Sequence, residues 1–126
     1  MTPYYRTKSY WVFAALVAAI ALIISMFLSC KATEDPVHNI GYKVSGTANN
    51  YDVTLTAPNG NTTQYNGVGE STWTATSSSG NWVYLSAQNN NDQGTVTVTI
   101  TVDGSVFKTA TSTGAYCIAE VDGDIP

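Results

Sequence analysis

The sequence predicts an all-β fold, a small antiparallel β-sandwich of seven to eight strands that follows one N-terminal membrane helix or lipoprotein signal. Three observations carry this expectation. Apolar and polar residues alternate from Ile40 onward. Clusters of Gly, Asn, Asp and Ser interrupt the alternation roughly every 8 to 12 residues. No stretch of this part shows the helical period of an amphipathic helix.

The elements follow in order. Trp11 to Leu28 reads WVFAALVAAIALIISMFL, eighteen residues without a charge. At about 1.5 Å per residue a helix of that length just spans a bilayer core of about 30 Å. Arg6 and Lys8 precede the run, so the positive flank stays inside and the remainder of the chain faces outward. The run ends in Phe27-Leu28-Ser29-Cys30, which is similar to a bacterial lipobox, in which cleavage before the Cys accompanies acylation of its sulfur. Residues 1–30 therefore read as a signal or membrane segment. Cys30 is either a lipidation site or a thiol at the end of an uncleaved signal anchor. Residues 31–39, with Pro36 and no apolar period, read as a linker.

The β domain is expected over 40–121. Ile40, Tyr42 and Val44 share one face of a first strand, and Tyr51, Val53, Leu55 and Ala57 one face of a second. Pro58-Asn59-Gly60-Asn61 supplies a turn into a third strand, Thr62 to Asn66. Ser71 to Thr76 carries Trp73, and Ser77 to Asn81 breaks it. Trp82 to Gln88 places Val83, Leu85 and Ala87 on one face and Trp82 and Tyr84 on the other. Thr95 to Val102 alternates strictly over eight β-branched residues, so a one-residue slip would expose its whole Val/Ile face. Asp103-Gly104 is a two-residue hairpin turn into Ser105 to Thr111, and Ala115 to Val121 is a last strand with Tyr116 and Ile118 on one face. Trp73, Leu85, Val96, Val98, Ile100 and Phe107 are the expected core. Thr95, Thr97, Thr99 and Thr101 face water. Residues 122–126 read as an acidic tail.

Charge and composition restrict function. From Cys30 onward three Lys oppose nine Asp and Glu, a balance of 3 − 9 = −6. With only Lys31, Lys43 and Lys108 on that side, there is no basic face to neutralise phosphates, so nucleic acid is not an expected partner. General acid–base and nucleophilic catalysis need groups in mutual hydrogen-bond reach. The only His, His38, falls in the linker, where a solvated role is expected, and the carboxylates fall singly at turns (Asp52, Asp92, Asp103) or in the tail (Asp122, Asp124). No enzyme is expected, and no metal or other cofactor. Asn89 to Ile100 superficially resembles a calcium loop, but Ile100 stands where the bidentate Glu belongs, and a plain polar hairpin loop is the expectation. Cys117 lies in a strand, either as a small buried hydrophobe or in an interchain disulfide. The exposed aromatics Trp82 and Tyr84 mark a candidate interaction surface for protein or sugar.

Tyr42-x-Val44-x-Gly46-x-Ala48, Asp52-Val53-Thr54, Leu85-Ser86-Ala87-Gln88-Asn89, Gly94-x-Val96-x-Val98-x-Ile100-x-Val102-Asp103-Gly104 and Gly114-Ala115-Tyr116, in that order, resemble the MmpS family of small membrane-anchored proteins. The resemblance covers about residues 40–121. It implies an extracytoplasmic sandwich of Ig-like character in the bacterial cell envelope, acting without catalysis as an accessory to an RND-type, MmpL-like permease. A glycan-binding surface module and a self-associating structural envelope lipoprotein are the alternatives.

Overall fold

A computed structural model of the chain describes residues 14–18, 20 and 32–126. The chain divides into two units, Met1–Glu34 and Asp35–Pro126. In the first, residues 14–18 and 20 are helical. The rest of the apolar run and Cys30 lie outside the described residues. Among those described, no helix is long and apolar enough to cross a membrane.

The second unit is the predicted β-sandwich. Its strands are β1 (Val37–Ser45), β2 (Tyr51–Thr56), β3 (Thr62–Val68), β4 (Ser71–Ser78), β5 (Trp82–Asn89), β6 (Thr95–Val102), β7 (Ser105–Thr113) and β8 (Ile118–Asp124). They form two four-stranded sheets, in the orders β4-β1-β6-β7 and β3-β2-β5-β8, with every pairing antiparallel. The hairpins β2–β3 and β6–β7 stay within a sheet, and the other connections cross between sheets. Asp103 (φ 51°) and Gly104 (φ 81°) both take left-handed conformations, the requirement of the twist-matched two-residue hairpin turn.

Period-2 patterning fills the space between the sheets. Ile40, Tyr42 and Val44 of β1 and Val96, Val98 and Ile100 of β6 face Tyr51, Val53 and Leu55 of β2 and Val83, Leu85 and Ala87 of β5, all of them buried. Each fully buried Val, Leu or Ile contributes about 1.5–3 kcal/mol. Tyr42 and Tyr51 are the largest fully buried side chains. Tyr51 donates its hydroxyl to the Thr95 carbonyl at 3.2 Å. Burial pushes the Tyr42 phenol up to about 12, because the phenolate would be desolvated there.

Several expectations are corrected. β1 begins at Val37, inside the stretch expected as linker, because His38 is in phase with Ile40, Tyr42 and Val44 and pairs with Ser77 of β4. β8 runs through Asp124, inside the expected tail, and Ile125 beyond it is buried. Gly80 and Asn81 hold that end: the Gly80 N–H donates to the Ile125 carbonyl at 2.7 Å, and the Ile125 N–H to the Asn81 carbonyl at 3.0 Å. Tyr116 precedes β8 in a left-handed conformation (φ 51°), and Ala119 and Val121 turn inward while Ile118 is exposed.

Of the expected core, Trp73 and Phe107 are only partly buried. Both sit on edge strands, where one side lacks a neighbour to cover them. Trp73 of β4 meets Tyr65 of β3, ring centroids 4.8 Å apart, so two edge strands close one side of the sandwich with an aromatic pair. Phe107 lies at a register shift in the β6–β7 pairing and packs with Lys108 against Gly123 of β8. The Thr ladder of β6 is half-buried on the outer face of its sheet, because Thr97 and Thr99 hydrogen-bond Thr111 and Thr109 of β7 at 2.8 and 3.1 Å.

Candidate docking face

β5 determines the geometry of the face. Its odd positions Val83, Leu85, Ala87 and Asn89 all point into the core, so the even positions Trp82, Tyr84, Ser86 and Gln88 stand on the outer surface of the β3-β2-β5-β8 sheet. The register sets their neighbours. Trp82 opposes Asp124, Tyr84 opposes Asp122 and Thr56, Ser86 opposes Glu120 and Thr54, and Gln88 opposes Ile118 and Asp52.

The two sequence-predicted surface residues meet. The Trp82 and Tyr84 rings stack with centroids 5.7 Å apart and planes 21° from parallel. Each ring is tethered one step diagonally across to β8: the Trp82 indole N–H donates to Asp122 Oδ2 at 3.1 Å, and the Tyr84 hydroxyl to Glu120 Oε2 at 3.2 Å. Diagonal neighbours lie within reach of aromatic side chains. Trp82 nevertheless remains 45% exposed. Both rings are thus ordered yet accessible, which lowers the entropy lost when something binds them.

Farther along the same face, past Tyr84, lies a polar depression of about 260 Å³ lined in part by Asp52, Gln64, Asn66, Ser86 and Gln88. The strands of this sheet read YDVTLT, TTQYNGV, WVYLSAQN and IAEVDGD and contain no Lys or Arg. Asp52, Glu120, Asp122 and Asp124 give the outer face a single sign of charge. The opposite outer face differs in kind. There the hydroxyls of β6 and β7 bond one another, and Lys43 pairs with Glu70 at 3.2 Å.

A second cluster escaped the sequence reading. His38 Nδ1 lies 2.7 Å from Asp103 Oδ2, His38 Nε2 lies 3.1 Å from Ser79 Oγ, and Asp103 Oδ1 accepts the Asn39 N–H at 2.8 Å. The His38 hydrogen bond first, and the Asn39 N–H second, hold the Asp103 carboxyl below the usual carboxylate range. The order Ser–His–Asp is that of an acyl-transfer relay. Such a relay also needs donors for the oxyanion, and the Gly80 N–H next to Ser79 is already given to Ile125. Through these hydrogen bonds the cluster ties the start of β1 to the β4–β5 and β6–β7 turns. His38 is a fastened strand residue, and the expectation of a solvated linker His is overturned. The phase of His38 with Ile40 was the signal available in the sequence.

The calcium-like loop is built around Asn89. Its amide nitrogen donates to the carbonyls of Gln93 and Gly114 at 3.0 and 2.9 Å, and its Oδ1 accepts the Asn91 N–H at 2.8 Å. The side chain is consumed in bracing the loop. Among the described residues, no three His, Cys, Asp or Glu side chains are placed to hold a metal ion. Cys117 is unpaired among the described residues and packs against the core, while its carbonyl accepts the Asn89 N–H at 2.9 Å.

No protein-family model matches the chain, and no curated protein matches it. The outer face of the β3-β2-β5-β8 sheet combines the exposed Trp82, stacked on a half-buried Tyr84, with carboxylates of one sign and a polar depression farther along β5.

Proposed function

We propose that this protein is a non-enzymatic, membrane-anchored accessory of the bacterial cell envelope, whose β-sandwich sits on the extracytoplasmic side and docks on a partner through the outer face of the β3-β2-β5-β8 sheet. The observation that carries the reading is the stacked Trp82–Tyr84 pair, held in place by two carboxylates while Trp82 stays 45% exposed. Burying rings already locked in position yields binding energy at little entropic cost. The uncharged run Trp11 to Leu28 supports the anchor, either as a span or as a signal ending at an acylated Cys30. The MmpS-like order of residues over 40–121 supports an RND-type permease as the partner.

The test is co-purification. Tagged protein is extracted in mild detergent from the native membrane beside the Trp82→Ala and Tyr84→Ala variants. A polytopic permease enriched with the parent protein and depleted at least tenfold with either variant supports the reading. Equal recovery with all three sinks it. The intact mass of the same preparation reports whether Cys30 carries lipid.

A glycan is the second reading, favoured by the polar depression on the same outer face, where Gln64, Asn66 and Gln88 present amides beyond Ser86, the next outward residue of β5 after Tyr84. Titration with cell-envelope oligosaccharides would quench Trp fluorescence in the parent and not in Trp82→Ala. No quenching by any of them removes this reading.

A further inference from the structure

The chemistry of the docking face specifies what it accepts. Glu120, Asp122 and Asp124 occupy alternate positions of β8, so their side chains leave the same surface at intervals of about 6.6 Å. Two of them are half-committed. Asp122 gives one oxygen to the Trp82 indole and Glu120 one oxygen to the Tyr84 phenol, which leaves the second oxygen of each as an acceptor. These same bonds orient the rings alongside the carboxylates. A flat cation is thereby offered a π-face and a carboxylate oxygen together. Asp124 extends the row, and Asp52 lies across the sheet from Gln88. The four strands contain no Lys or Arg, and although the stem of Lys108 of β7 packs against Gly123, the ion pairs among the described residues are His38–Asp103 and Lys43–Glu70.

Resting on the docking role just described, we propose that the partner element seated on this face is an extended protein segment with Arg or Lys at alternate positions, its cations lodged against the Trp82 and Tyr84 rings and the Glu120, Asp122 and Asp124 carboxylates. An extended chain repeats its side chains with the same interval of about 6.6 Å on one side, so successive cations fall in register with successive carboxylates. A helix places consecutive same-face side chains about 5–6 Å apart with a different angular drift and loses register after the first pair. Arg is favoured over Lys, because a guanidinium stacks flat on an indole and meets a carboxylate through two donors.

The probes are synthetic peptides added to the full-length protein in detergent and followed by calorimetry. One peptide alternates Arg with Thr over three repeats; the other has the same composition with its three Arg contiguous. The alternating peptide should bind at least tenfold more tightly than the contiguous one, and its affinity should fall as salt rises from 50 to 300 mM, as expected of partly screened surface charges. Trp82→Ala and the double variant Glu120→Gln/Asp122→Asn should each weaken it at least tenfold, whereas Lys43→Ala on the opposite face should leave it unchanged. Equal binding of the two peptides overturns the proposal, and so does binding indifferent to Trp82→Ala. Should the permease still co-purify in a Trp82-dependent way while the peptides fail, the basic-segment inference falls and the docking role stands. Failure of both removes both.

Discussion

Replacing Asn89 with Ala removes three hydrogen bonds from the interior in one step. The side chain is fully buried, and it serves the carbonyls of Gln93 and Gly114 and the N–H of Asn91, at 3.0, 2.9 and 2.8 Å. A typical intramolecular hydrogen bond contributes about 1 kcal/mol net, and a buried partner left unsatisfied costs about 1–3 kcal/mol. Three such bonds set the expected loss at about 3 kcal/mol. The open polar cavity lined by Asn91, Gln93 and Gly94 lies beside these groups, so water replaces part of what is lost and the figure stays near the low end of the range. For a domain of this size about 3 kcal/mol lowers the melting temperature by roughly 12–24 °C. Urea unfolding followed by Trp fluorescence, with thermal unfolding by circular dichroism, measures both quantities. Asn89→Asp should cost at least as much, because a carboxylate would confront two carbonyl oxygens in place of a donor. A loss below about 1 kcal/mol with an unchanged m-value would refute the reasoning, since the loop would then be held by something other than Asn89.

Other outcomes follow from the same structure. Gly46 has φ 144°, and a Cβ there would collide with the Thr95 carbonyl and lie 2.8 Å from the Tyr51 hydroxyl, whereas Gly60 (φ 80°) has nothing within 4 Å. Gly46→Ala should cost on the order of 3–5 kcal/mol from clash and strain together, and Gly60→Ala only about 1–2 kcal/mol, as urea midpoints will show. The Asp103 carboxyl is depressed in the folded state, so the unfolded chain binds the proton more readily. Its contribution is fully present above the unfolded pKa of about 3.9 and is lost as pH falls through the lower folded value. Asp103→Asn should flatten the acid limb of the stability–pH curve below about pH 4, and a limb identical to the parent's would contradict the His38 assignment. Tyr42 behaves in the opposite sense, because its folded pKa is raised to about 12. Stability is unaffected below about pH 10 and declines from there toward pH 12, and Tyr42→Phe should remove that decline.

The strands with one fully buried face were legible in the sequence because burial forces period-2 alternation. The Thr95–Val102 strand and the strand expected over Trp82 to Gln88 appear with the buried faces that their patterns imply, the latter extended by one residue to Asn89. The ends were not legible, for a physical reason common to both. His38 continues the inward phase of β1, and Ile125 continues that of β8, but each is surrounded by charged or polar residues that read as solvent-exposed chain. Asp122 and Asp124 resembled a frayed tail because, like Glu120 before them, they fall on the outward phase, which is where an edge strand carries its charges. The aromatic pair was visible as an i, i+2 spacing on β5. Its bonds to Asp122 and Glu120 were not, because they depend on which strand lies beside β5, and a crossover from the other sheet delivers β8 there. Trp73 was expected in the core on size alone, and its edge-strand position left it half-covered.

Site-specific photocrosslinking in living cells tests the docking face most directly. A photoreactive residue is placed at Ser86, on the outer face between Tyr84 and Gln88, and in a second strain at Thr99, on the outer face of the opposite sheet. A discrete adduct with a membrane partner from position 86, absent from position 99 and abolished by Trp82→Ala, is the predicted result. An adduct from position 99 alone, or one from position 86 that persists in Trp82→Ala, would contradict the assignment of the aromatic face as the surface through which this protein binds its partner.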